Sequence, residues 1–354
     1  MKRWLLPLLL LAAFGLVVGH ALGGRRASDR FIPGPEDRGE PMRAEKARVR
    51  ERLLAGDPAG AEAVLKQADA DYHGGRIDDV ALRNLYQVFA DPDPALAAPL
   101  DAWLALNRDS YAAHLARGIY FRSVGEAARG DRYFGDTPPE KIAAMQAQLD
   151  RAFSELQASL LLNDRPVISY LYLVSAGKHV ENREFLRRQL DASLRSDPRN
   201  FVVRRVYLRT LRPRWGGSLD AMRAFLKECA GAGLPADQMS ELGALVAEEE
   251  GWAEEQAGHH DEALRRYSAA LGAFPNSNDE LWKEAARIAI EGDDCLAALP
   301  KLTHLVERGG LQSTDMAWVH GQRGVCLSRT GHPREGAVEQ RLANQMSAAT
   351  HAAP

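Results

Sequence analysis

Residues 251–275 read GWAEEQAGHHDEALRRYSAALGAFP, with small or aromatic residues at Gly251, Gly258, Ala263, Tyr267, Ala270 and Pro275, in steps of seven, five, four, three and five. Outward from this stretch, strand signals are missing, because Val, Ile, Thr and aromatic residues nowhere alternate over a sustained run. Helix signals recur instead. Asp57-Pro58 and Asp197-Pro198 each combine an N-cap acceptor with a proline suited to a first turn. Thr137-Pro138-Pro139-Glu140 adds a capping-box partner, and Ile142, Met145, Leu149, Phe153, Leu156 and Leu160 come after it at three- and four-residue spacing. That pattern predicts one amphipathic helix of about 25 residues, ending near Asn163. Ser277-Asn278-Asp279-Glu280 is a second capping box, with Leu281, Ala285, Ile288 and Ala289 beyond it.

The spacing in 251–275 resembles the tetratricopeptide repeat. The resemblance implies that Gly251 lets two antiparallel helices approach and that Gly258 ends the first. It also implies that Ala263, Tyr267 and Ala270 pack the second helix and that Pro275 closes the unit. Ala247 and Glu254 stand where that family carries aromatics. Moving on by 34 residues gives Ala285, Gly292, Ala297, Lys301, His304 and Gly309, and a further unit carries Gly324, Gly331 and Gly336. Upstream, Gly118 in ARGIYF, AFSELQASLLLNDRP (152–166) and LDASLRSDP (190–198) look like repeat fragments with insertions. The chain is also similar to a bacterial family of unknown function built on such helical pairs, in which an RWGGS-type turn occurs. The expected fold is therefore an all-α solenoid of tetratricopeptide-like helix pairs, irregular over 42–243 and more regular over 244–350. Stacked pairs of this kind create an extended concave surface.

The chain opens MKRWLLPLLLLAAFGLVVGHALGG, two cations before an uncharged apolar run from Trp4 to Val18, which is an export signal. Ala21 and Gly23 favour cleavage. Trp4 to Gly24, however, makes 21 residues with Arg25 and Arg26 next, close to the length of a membrane span. Residues 1–24 are thus read as a signal peptide or an anchor, and 25–41, interrupted by Pro33, Gly34, Pro35, Gly39 and Pro41, as a tether. The remainder is expected to be periplasmic, soluble or held to the inner membrane, with membrane contact through residues 4–24 if they are retained. No cysteine lies near the segment, which excludes a lipoprotein anchor.

Of 354 residues, 45% are hydrophobic and 26% charged, and the net charge of -3 gives no global case for nucleic acid. Local charge is more uneven. Ten arginines lie between Arg183 and Arg214, opposed only by Glu184, Asp191 and Asp197. Arg205, Arg209 and Arg212 share one helix face and run into the turn RPRWGGS (212–218). One reading is an anion-binding stripe of Arg205, Arg209, Arg212, Arg214, Trp215 and the amides near Ser218, since guanidinium forks and helix N-termini suit anions. The other is a solvated or repeat-paired face. Nine acids between Asp237 and Glu262, with no Lys or Arg until Arg265, favour the second, because a neighbouring repeat can neutralise the arginines. The turn itself is accounted for without a ligand: Pro213 ends one helix, Gly216 and Gly217 permit the corner, and Ser218 caps the next helix.

Gly258-His259-His260-Asp261-Glu262 invites a metal, but adjacent side chains do not readily converge, and no metal or other cofactor is expected. No Gly-x-Ser-x-Gly elbow or phosphate loop is present, so no residue is assigned as catalytic. Cys229, Cys295 and Cys326 match no zinc spacing; buried thiols are one reading, and Cys295 with Cys326 is the expected pair if a disulfide forms. Trp103, Trp252, Trp282 and Trp318 lie in apolar helical patterns and read as packing. The leading expectation is a non-enzymatic scaffold of the cell envelope that binds a protein or peptide. A receptor for a small anion or acidic glycan through 183–214 comes second, and a metal-dependent hydrolase third.

Overall fold

A computed structural model describes residues 40–130, 136–179, 182–309, 311 and 313–352. The expected export or anchor segment and most of the expected tether lie outside these residues. Among the described residues there is no strand, and no helix is long and apolar enough to cross a membrane. The helices are α1 (Glu40–Leu54), α2 (Pro58–His73), α3 (Asp79–Tyr86), α4 (Ala97–Leu106), α5 (Tyr111–Arg129), α6 (Pro139–Leu160), α7 (Val167–Gly177), α8 (Arg183–Ser196), α9 (Phe201–Thr210), α10 (Leu219–Gly231), α11 (Ala236–Gln256), α12 (His260–Ala273), α13 (Asp279–Glu291), α14 (Cys295–Arg308), α15 (Ser313–Arg329) and α16 (Pro333–Ala352).

From α5 onward, consecutive helices pack as pairs, 5 with 6 through 15 with 16, each pair resting on the next. Residues 251–275 belong to the α11–α12 pair. A Cβ on Gly251 would lie 2.6 Å from Cδ1 of Tyr267, so only glycine admits this approach, and Ala263, Tyr267 and Ala270 are buried behind it. The same device recurs where Gly118 faces Leu156 and where Gly324 faces the backbone of Gly336.

Caps depart from expectation in detail. Asp57 does cap α2, accepting the Gly60 N–H at 2.8 Å. Asp197 does not start α9: Asn200 takes that role by accepting from Val203, and the Asp197 carboxylate turns to the Tyr72 hydroxyl and the Arg199 amide. At α6 no capping box forms, because Pro138 occupies the N-cap position without a side-chain acceptor. At α13 the cap is Asn278, one residue past the expected Ser277.

The first helices of successive pairs, α5, α7, α9 and α11, touch side by side and form a row. Residues 40–96 fold back across its beginning. α3 packs on α9, and the 3-10 turn Gln87–Phe89 at its end packs on α5. α7, whose sequence VISYLYLVSAG is buried at every position but Tyr170, packs against α5, α6, α8 and α9, and a helix covered on all sides must be apolar all round. The Asp79 carboxylate of α3 accepts the amides of Phe201 and Val202 at 2.5 and 2.8 Å, closing the N-terminus of α9 from 122 residues away. Leu82, Leu85, Tyr86 and Phe89 beside it are at most 1% exposed, each worth roughly 1.5–3 kcal/mol of apolar burial. Beyond α11 no described element covers the row in this way.

Candidate functional site

The arginine-rich corner is built by local chain chemistry. The Thr210 hydroxyl donates back to the Tyr207 carbonyl at the end of α9, and Pro213 opens a 3-10 turn of Pro213–Trp215. Gly216 takes φ 75°. A Cβ on Gly217 would sit 1.9 Å from the carbonyl oxygen of Leu211, which no side chain tolerates. Ser218, extended at φ -153°, accepts the Ala221 N–H at 3.0 Å and starts α10. Arg183 clamps the corner from α8, donating to the carbonyls of Thr210 at 3.0 Å and Trp215 at 2.6 Å.

The arginines meet carboxylates of α11 in register. Arg205 pairs with Glu241 at 2.7 Å, and Arg212, seven residues on, pairs with Glu248, also seven residues on, at 3.2 Å. Arg212 and Arg214 also share Glu249, at 3.3 and 3.2 Å. Arg212 is 2% exposed and Glu249 is fully buried, so this is an interior ion cluster. Arg209 is half-buried and engaged as well. On the other side of α11, Glu250 takes Arg223 of α10 at 2.7 Å and Arg266 of α12 at 3.0 Å. Glu255 takes Arg287 of α13 and the Tyr267 hydroxyl. The arginine run and the acidic run thus neutralise each other one repeat apart.

Of the residues considered for an anion, Arg205 and Arg212 are buried, Arg209 and Trp215 half-buried, and Arg214 and Ser218 exposed. The Lys178 ammonium lies 5.0 Å from the centre of the Trp215 ring, and His179 meets the ring edge-on at 5.7 Å. Lys178 and His179 converge with Arg122 on one oxygen of Glu126, at 3.2, 3.3 and 2.9 Å. Burial opposes the charge on Glu126, but Arg122, Lys178 and His179 outweigh it and hold its carboxyl well below the usual range. Burial lowers His179, and the neighbouring cations lower it further against the pull of Glu126. This cluster escaped sequence reasoning, apart from the four-residue spacing of Arg122 and Glu126 that one helix face implies.

The histidine-rich turn is held by local pairs. Gly258 makes the turn at φ 79°, His259 pairs with Glu254 at 2.9 Å, and Glu262 is held by Arg265 and Arg266. Among the described residues no group of three or more His, Cys, Asp or Glu is arranged to hold a metal ion. A groove of about 390 Å³ between α4 and α5 is lined by Asp101, Leu104, Ala105, Arg108, His114 and Arg117. Three of its four polar side chains are paired: Arg117 bridges Asp101 and Glu155 at 2.9 and 2.8 Å, and His114 meets Glu155 at 2.6 Å. Cys295 and Cys326 are joined in a disulfide with Cα atoms 4.9 Å apart, tying the start of α14 to α15. The Cys229 thiol is buried, which pushes its pKa up to about 11.

The paired helices, the glycine at each close approach and the shared row decide the architecture. The fold is an all-helical solenoid of consecutive helix pairs among the described residues. No family model matches the chain, and no curated protein matches it either. Among solved structures it is similar to the apo form of the quorum sensor NprR from B. thuringiensis, with 10% identity and a TM-score of 0.38 over 87% of this chain and 99% of that one.

Proposed function

We propose that the chain is a non-enzymatic protein-interaction scaffold of the cell envelope, holding a protein or peptide partner on the row of first helices. The observation that carries this reading is the uneven covering of that row. Its beginning is crossed in cis by α3 on α9 and by the turn Gln87–Phe89 on α5, whereas no element of residues 40–96 makes a comparable contact with α11, α13 or α15. Solenoids expose such surfaces because each pair buries only its contacts with its neighbours. An envelope location is supported by the apolar N-terminal run and by the Cys295–Cys326 disulfide, a bond that persists in oxidising compartments. Residues 4–24 hold the chain at the membrane if they are retained.

The test is crosslinking and capture with the tagged full-length chain in envelope and cytosolic fractions. The reading expects an envelope chain with Cys295 and Cys326 oxidised, and a protein partner enriched over a tag-only control. A cytosolic chain with reduced thiols and no enriched partner would contradict it. A second reading, a receptor for a small anion or acidic glycan, is supported by Trp215 standing between Lys178, Arg183 and Arg214. It predicts phosphate or uronate binding that falls steeply with salt and quenches Trp215, with Lys178→Gln abolishing the quench.

A further inference from the structure

The groove between α4 and α5 holds charges that the fold uses and charges that it does not. Glu155 of α6 is engaged at both oxygens: Oε1 takes Arg117 at 2.8 Å, and Oε2 takes Nδ1 of His114 at 2.6 Å. Nε2 of His114 lies 3.0 Å from the Arg108 carbonyl, in the turn between α4 and α5. Arg117 also reaches Oδ1 of Asp101 at 2.9 Å, so one guanidinium ties α4, α5 and α6 together. Two polar ends are left over. The Arg108 guanidinium is exposed and meets no carboxylate or carbonyl among the described residues. Oδ2 of Asp101, on a side chain 58% exposed, accepts from no donor among them.

Between Asp101 and Arg108 in sequence, half-buried Leu104 and exposed Ala105 supply the apolar part of the same lining. The groove thus presents an unpaired guanidinium fork, an unpaired carboxylate oxygen and an aliphatic strip around a space of about 390 Å³, within the range of small-molecule sites. The signs of the two unpaired ends decide what fits. A simple anion would meet Arg108 but face the carboxylate of Asp101, and a simple cation would meet the reverse. A ligand carrying both signs is drawn by both ends.

We infer that this groove binds a small zwitterion with an aliphatic body. Its carboxylate lies on the Arg108 guanidinium, its ammonium on Oδ2 of Asp101, and its apolar part on Leu104 and Ala105. Free aliphatic amino acids and short apolar peptides share this chemistry. Arg117 is a positioning residue, holding Asp101 through the other oxygen. The site uses none of the side chains assigned to either reading above, so it and they can fail separately.

The test is isothermal titration of the full-length chain with leucine, leucyl-leucine, N-acetyl-leucine and leucine methyl ester. At least one of the two zwitterions should bind saturably, and the two singly charged derivatives should bind roughly tenfold more weakly or worse. Binding of leucine marks a free amino acid as the ligand, and binding of leucyl-leucine alone marks a peptide. Arg108→Gln and Asp101→Asn should each weaken the zwitterion by about tenfold or more. Arg334→Gln, which removes another exposed guanidinium without a carboxylate partner among the described residues, on α16, should leave binding unchanged. Circular dichroism melts establish that the variants fold, and Arg108→Lys, which keeps the charge without the fork, replaces Arg108→Gln if the latter does not. No saturable binding of either zwitterion up to its solubility limit would overturn the inference. So would a singly charged derivative binding as tightly as the better zwitterion, or equal effects of the variants at Arg108 and Arg334.

Discussion

In residues 40–235 a large apolar core runs on from Val49 into α11, beside a small separate cluster of Met145, Leu149 and Ala176, with α3 packed on α9 and its terminal turn on α5. In residues 236–352 the same kind of helix pair holds two separate clusters of eight buried residues each, bridged by half-buried Leu264 and Trp282. A disulfide then ties α14 to α15. The difference teaches what a covering element does. Where α3 packs on α9, long-range contacts tie distant helices together. Where no such element packs on the first helices, each pair depends on its neighbours, and a covalent link supplements the small core.

The seam between the two regions should give the largest effect. Glu249→Ala leaves Arg212 buried without one of its two carboxylates and frees Arg214. A loss of about 3 kcal/mol in denaturant unfolding is expected, with separate transitions of the two regions replacing a shared one. A loss below about 1 kcal/mol would mean that the ion cluster does not join them. Reduction of Cys295–Cys326, which closes a segment of 31 residues, should cost about 3 kcal/mol. Its effect should be confined to α13–α16, which limited proteolysis of the reduced chain can map.

Acidification should separate the regions by sign. Burial raises Asp69 to about 7 against the hydrogen bond from Tyr86, and raises Asp79 to about 6 against the two amides of α9. Both carboxyls then hold protons in the folded chain that they release on unfolding, so stability of the first region rises as pH falls from about 7 towards 5. The gain is on the order of 2 kcal/mol and reverses below about pH 4, where carboxyls held low in the folded chain, such as Glu126, take up protons only on unfolding. Thermal melts of Asp69→Asn should show a flatter profile over the same window. The smallest effect belongs to the corner: Ser218→Ala removes one N-cap and should lower stability by about 1 kcal/mol with the turn intact.

Helices and their pairing were legible in the sequence because they rest on local signals. Gly251, Gly258 and Tyr267 keep a spacing that only a close helix pair explains, and RPRWGGS contains its own turn and cap. The exchange of charge between 205–214 and 241–249 was visible as two opposed runs, though the seven-residue register that matches them depends on how α9 and α11 align. The cap on α9 was misread for a physical reason: Asp197 and Asn200 both offer an acceptor, and tertiary contact with Tyr72 decides between them. α3 was not legible at all. Its eight residues carry Asp79, Arg83 and Asn84 on sides that a short amphipathic helix would show to water. Only the return of the chain across α9 makes those sides interior. The Glu126 cluster was hidden similarly, since Lys178 and His179 stand more than fifty residues away from it.

Native-state hydrogen exchange of the oxidised full-length chain tests the central contrast most directly, because it reads the opening of each helix separately. Amides of α3, α7 and α9 should exchange only through global unfolding, and those of α13 to α16 through local opening at least tenfold faster, faster still after reduction. Equal protection of the two regions, or faster exchange in α3 than in α13, would contradict the account of a filled and an open half.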